Sequence, residues 1–243
     1  MKRGDELPPN QLRFFSLLVQ IIGNEGELHQ NGILLFPNDF FDRLESKYEL
    51  HNKFIMLLNE FNTTNDFPLH NGPRYDGKLI GHPMLGSRLI EFDEEQHFTP
   101  HRMKTIEVFG TELSFASDYE SLFLIDHLRQ CSLIKNRISH ALTNVEFMDL
   151  QVTIQAIIEY VEMNDIHNNF IRETSGFRYS GGRLAQRAIY DLIKDLYHLI
   201  EPNFSQIIRF SLFEFEQAFN SPFNQCTDDQ ISNYVMKKLS KLS

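Results

Sequence analysis

Lys135-Asn136-Arg137-Ile138-Ser139-His140 stands at the joint between two long amphipathic runs, and the fold class turns on how those runs are read. Upstream, Leu122, Phe123, Ile125, Leu128, Leu133 and Ile134 recur at intervals that suit one apolar face of a helix. Downstream, Leu142-Thr143-Asn144 reads as a turn or helix start, and Phe147, Leu150, Ile154, Ile157, Ile158 and Val161 resume helical spacing. Helices are expected over roughly 117–138 and 144–164. Ile138 then points into the core, and Lys135, Asn136 and His140 are displayed together where two core helices meet.

Helical patterns continue on both sides. Pro8-Pro9-Asn10 opens a first helix with an apolar stripe of Leu12, Phe15, Leu18, Val19 and Ile22, stopped by Gly23. Gly32 to Phe36 is a short strand or an extended link. Residues 39–61 are helical, with Phe54, Leu57, Leu58 and Phe61 on one side. Ser180-Gly181-Gly182-Arg183 opens a helix that Pro202 ends. Phe204 to Phe219 reads as another, through Ile207, Ile208, Leu212 and Phe215. The last begins at Thr227, which forms a capping-box pattern with Gln230.

Residues 63–104 break this rhythm. Pro68, Gly72, Pro73, Gly77, Gly81, Pro83, Gly86 and Pro100 interrupt every helical pattern. The segment is long for a plain loop, so function, partial strand structure or mobility is expected there. Lys78-Leu79-Ile80 and Arg88-Leu89-Ile90-Glu91-Phe92 could pair as a hairpin. Thr105 to Gly110 is a third strand or the start of the next helix. The expected fold is mainly α: a helical bundle over 105–243, N-terminal helices over 1–62 packed on it, and a small irregular or β-containing insertion over 63–104.

A chain of 243 residues with 42% hydrophobic content supports a real core. Its net charge of −10 argues against a general nucleic-acid binder, while leaving room for a local basic cleft. Two cysteines, Cys131 and Cys226, make no disulfide framework, and Cys131 is expected as a buried apolar residue. No apolar leader follows the charged start and no run of 18 apolar residues occurs, so a cytoplasmic chain without a membrane span is expected.

The hexapeptide resembles the motif of the HEPN superfamily, whose members carry Arg, a polar residue and, after a short gap, His, often as Arg-Asn-x-Ile-Ala-His. The family's Arg is Lys135 here, which keeps the charge but loses the planar fork that grips phosphate. The resemblance implies a metal-independent ribonuclease of a toxin–antitoxin or antiviral defence type, needing no cofactor. His140 would serve in proton transfer, Lys135 would stabilise phosphate charge and Asn136 would position the pair. Such sites are composite, so a homodimer acting on RNA is implied. The alternative is a non-catalytic helical module that binds a protein partner through an apolar helix face.

Two further stretches carry candidate chemistry. Glycines at Ser180-Gly181-Gly182-Arg183, with Arg178 and Arg187 nearby, could let backbone amides and guanidinium groups meet an anion or an RNA backbone. His97 and His101 follow the carboxylates Glu91, Asp93, Glu94 and Glu95, but Pro100 interrupts the pair and no HExxH pattern exists, so no metal site is expected. No nucleophile elbow, kinase signature or dinucleotide fingerprint occurs.

Overall fold

The computed structural model describes residues 8–34, 40–63, 73–94, 97–116, 118–119, 122 and 182–242. The motif at 135–140, the helix expected over 144–164 and nearly all of that expected over 117–138 lie outside these residues. The described elements are α1 (Pro9–Ile22), β1 (Glu27–Ile33), α2 (Phe40–Glu45), α3 (Tyr48–Glu60), β2 (Arg74–His82), β3 (Gly86–Asp93), α4 (Pro100–Phe109), α5 (Gly182–Asp195), α6 (Tyr197–Ile200), β4 (Ile208–Ser211), α7 (Leu212–Phe219) and α8 (Asp228–Leu239).

The expectation of a mainly α bundle is wrong. The fold is α/β, with a four-stranded mixed sheet in the order β1-β2-β3-β4. The expected hairpin exists, but it is the middle of this sheet: β2 pairs antiparallel with both β1 and β3, and β4 runs parallel to β3. The second error lies at Ile207–Ser211. Spacing predicts a helix over 204–219, whereas Ile208–Ser211 is a fully buried strand and Ser211 then caps α7, its hydroxyl accepting from Phe213 N–H. Ile208 and Phe210, alternating with Arg209 and Ser211, make too short a pattern for periodicity to separate strand from helix.

The chain divides into two compact units. One comprises 1–43, 70–96 and 193–243, and holds the sheet; the other comprises 44–69 and 97–192. In the first, the register places Ile90, Phe92, Ile208 and Phe210 on one face of β3 and β4. That face is apolar. Phe14 of α1 stacks on Phe92 at 4.8 Å between ring centroids and meets Phe210 at 4.9 Å. Phe215 adds contacts to Phe223 and Tyr234. The Phe15 ring lies so close to β2 that a Cβ built on Gly77 would stand 2.5 Å from it, so glycine is required by space there. Gly81 and Gly86, at φ +66° and +67°, turn the chain between β2 and β3. The capping box of α8 forms as expected: Thr227 Oγ1 accepts from Gln230 N–H at 3.2 Å, and Gln230 Oε1 accepts from Thr227 N–H at 2.8 Å.

In the second unit, α3 buries Phe54 and Leu57. Thr99 caps α4, accepting from Arg102 N–H, and Pro100 takes the first helical position, where its missing N–H costs nothing. Phe98 stacks on Tyr119 at 5.3 Å, and the Arg102 guanidinium lies 5.7 Å from the Phe115 ring centre. Among the described residues, no helix is long and apolar enough to cross a membrane.

Candidate functional site

The other face of the sheet is built quite differently. Strand alternation turns Glu91 and Asp93 of β3, with Arg209 and Ser211 of β4, to the side opposite the phenylalanines, and the register sets Glu91 beside Arg209 and Asp93 beside Ser211. All four are buried, Glu91 and Asp93 completely. The C-terminal turn of α5 brings Lys194 and Asp195 to the same place, also buried. The Arg209 guanidinium donates through Nη1 to both Asp93 oxygens at 2.8 Å and through Nε to Asp195 Oδ1 at 2.7 Å. The Lys194 ammonium donates to Glu91 Oε2. From α8, Lys238 Nζ donates to the Arg209 carbonyl and to Glu214 Oε2, both at 2.6 Å.

At the edge of this cluster the sheet opens. Backbone pairing between β2 and β3 runs up to Gly77–Ile90. The next pair in register, Asp76 and Glu91, is bridged by side chains instead. Asp76 N–H donates to Glu91 Oε1 at 3.1 Å, and Phe92 N–H donates to Asp76 Oδ2 at 2.9 Å. Two carboxylates from neighbouring strands thus fill the split, with the Lys194 ammonium against one of them. Burial pushes the Glu91 carboxyl up to about 8, the Asp76 charge pushes it further in the same direction, and Lys194 and Arg209 oppose the rise. Removing so many charges from water is costly, and apolar residues of like volume often serve stability as well. A dense buried charge network at a strand opening is therefore a candidate for chemistry.

Among the residues singled out from sequence, Lys135, Asn136, His140, Ser180 and Gly181 lie outside the described residues. Gly182 and Arg183 begin α5, as expected of a helix start, and the Arg183 guanidinium donates to Gln186 Oε1 one turn on. His97 Nδ1 stands 2.8 Å from Asp191 Oδ2. His101 meets the Phe61 ring edge-on at 5.0 Å, and burial holds its imidazole down at about 4, so it is neutral at pH 7. Among the described residues, no three His, Cys, Asp or Glu side chains are grouped to hold a metal ion. Cys226 is buried and free.

Sequence reading missed Asp76, Lys194, Asp195 and Arg209, and weighed Glu91 and Asp93 only beside the histidines. One signal was present: two carboxylates alternating inside the apolar run Leu89-Ile90-Glu91-Phe92-Asp93, where an exposed strand face is the ordinary reading and full burial the informative one. Comparison with known protein families, with curated proteins and with solved structures finds no match to this chain.

Proposed function

We propose that this polar face is a divalent-cation-assisted phosphodiester-cleaving site, in which Asp76 and Glu91 hold the cation and Lys194 assists at the attacked phosphate. The observation that carries this reading is the strand opening itself: two carboxylates in register across β2 and β3, Glu91 accepting from Asp76 N–H and Asp76 accepting from Phe92 N–H, with a buried ammonium on Glu91. Magnesium is commonly bound by only one or two protein carboxylates, the substrate phosphate and water completing its shell. Such a cation, when bound, supplies Lewis-acid polarisation of a phosphoryl oxygen and neutralises developing charge.

The protein's own groups do the rest. Glu91, whose carboxyl is pushed up by burial and by the Asp76 charge, would give up its proton to hold a cation. Asp76 is half-buried, so it is the member of the pair that faces incoming ligands. The Lys194 ammonium supplies fixed positive charge for the extra negative charge of the transition state. A water oxygen forms the new bond to phosphorus and loses a proton to solvent, the ester P–O bond breaks, and the departing ester oxygen takes up a proton from solvent.

The test is cleavage of RNA and DNA with magnesium or manganese, and with EDTA. Metal-dependent cleavage is expected, lost in Glu91→Gln and Asp76→Asn and strongly reduced in Lys194→Met, all three melting as cooperatively as wild type. Cleavage that survives EDTA and disappears in His140→Ala would instead support the metal-independent mechanism on Lys135, Asn136 and His140 that the HEPN resemblance implies. A wild type that leaves both polymers uncut under all these conditions, with Glu91→Gln at least as stable, would reduce the network to a structural ion cluster and favour a binding protein.

A further inference from the structure

At Asp76 the buried charge cluster meets a partly exposed strand, and the residues found there indicate what lies against it. Every residue of β3 from Arg88 to Asp93 is buried, whereas along β2 only one side is covered: Gly77 and Leu79 are buried, while Arg74 is exposed and Asp76, Lys78 and Ile80 are half-buried. Beyond β2, the β1 residues paired with this side are exposed, Ile33 opposite Arg74, His29 opposite Lys78 and Glu27 opposite Ile80. Asp76 therefore sits on the boundary between the covered cluster and an open sheet surface. Its neighbours on that surface are two cations, Arg74 on one side and Lys78 on the other, each about 6.7 Å away along the strand.

Among the described residues neither cation forms an ion pair. Arg74 donates one weak hydrogen bond to Asn31 Oδ1 at 3.4 Å, and the Lys78 ammonium rests over the Phe204 ring at 5.1 Å. On β1, the Glu27 carboxylate of this surface is engaged by His29 Nε2 at 3.2 Å. In a chain of net charge −10, an unpaired Arg and Lys bracketing a candidate cation site form a local exception to the general field.

We infer that Arg74 and Lys78 hold the phosphates on either side of the one at Asp76 and Glu91, so that the ligand is a polynucleotide strand laid along β2. The inference rests on the proposed phosphodiester chemistry. A single nucleotide engages one of the two cations, and a strand engages both at once, which is why chain length decides affinity. Because phosphate contacts carry no base information, binding is sequence-tolerant.

The experiment is fluorescence anisotropy with labelled single-stranded RNA and DNA oligonucleotides and with a labelled mononucleotide, in EDTA, over a salt series. It compares wild type, Arg74→Gln, Lys78→Gln, the double variant and Arg74→Lys. Oligonucleotides are expected to bind more tightly than the mononucleotide. Each Gln substitution weakens binding several-fold and flattens the dependence of log affinity on log salt by about 1, and Arg74→Lys largely restores both. The RNA and DNA arms identify which polymer is preferred. Arg74 is exposed, so its variants also separate binding from folding. A double variant with wild-type affinity and salt slope overturns the inference, as does a wild type that binds neither polymer. The two readings part cleanly: Glu91→Gln that cuts normally while Arg74→Gln binds poorly removes the cation site and leaves this surface, and the reverse pattern removes the surface and leaves the site.

Discussion

Glu91 joins the sheet, the helix α5 and the candidate chemistry in one side chain, and it makes a pH-dependent prediction. Its carboxyl is pushed up to about 8, first by burial and then by Asp76. The folded chain thus holds a proton that the unfolded chain has released. The stability this proton contributes is fully present below the ordinary carboxyl range near 4.5, and is lost as pH rises through about 8. Without divalent cations, wild-type stability in urea is expected to fall between pH 5 and 8.5 relative to Glu91→Gln, by up to a few kcal/mol. Added magnesium is expected to reduce the fall, because the cation replaces the proton. A difference between wild type and Glu91→Gln that stays flat across this range would show that Glu91 remains ionised on Lys194 throughout. At this scale the sequence was partly legible. The capping pair Thr227 and Gln230 lies within one helical turn and could be read directly. Glu91 finds its partners 15 and 103 residues away, at Asp76 and Lys194, and no local pattern encodes such pairings.

Elements were legible where length and periodicity agreed. Residues 9–22 and 228–239 carry helical stripes with recognisable starts, and both form helices as expected. The strand β4 was hidden because it is four residues long and adjoins a true helix whose apolar residues continue the spacing of Ile208. The hairpin of β2 and β3 was visible in outline, but its central place in the sheet depends on β1 and β4, which arrive from distant parts of the chain. The helix α8 offers a direct test of element-level stability. Its cap satisfies two end groups reciprocally, and its far end delivers Lys238 to Arg209 and Glu214. Thr227→Ala is expected to cost about 1 kcal/mol in urea unfolding, and Thr227→Ser to cost much less because the accepting hydroxyl is retained. Equal losses from Ala and Ser would mean that the methyl group, rather than the cap, carries the effect.

At the scale of the molecule, the sheet-bearing unit is assembled from three separated segments, 1–43, 70–96 and 193–243. Its core cannot close until the last of these has been made. Phe14 and Phe92, from the first two segments, bury their rings against Phe210 and Phe223, and Phe215 lies beside them, all from the third. The buried ion network has the same dependence, because Asp93 finds its guanidinium 116 residues further on. A chain ending after Glu201 would therefore lack β4, α7 and α8 and leave Asp93 buried without Arg209. Each phenylalanine side chain whose burial is lost removes on the order of 1.5–3 kcal/mol. Several together exceed the margin of about 5–15 kcal/mol by which a domain is usually stable. Hydrogen exchange is the measurement that resolves the outcome by segment. In the full chain, amides of β1, β2 and β3 are expected to exchange slowly and together; in the shortened chain they are expected to exchange as an unfolded segment does, with loss of the corresponding cooperative melt. If β1 to β3 keep their protection without residues 202–243, then α1 and the three-stranded meander form a self-sufficient core. The phenylalanines of the third segment then seal that core rather than create it.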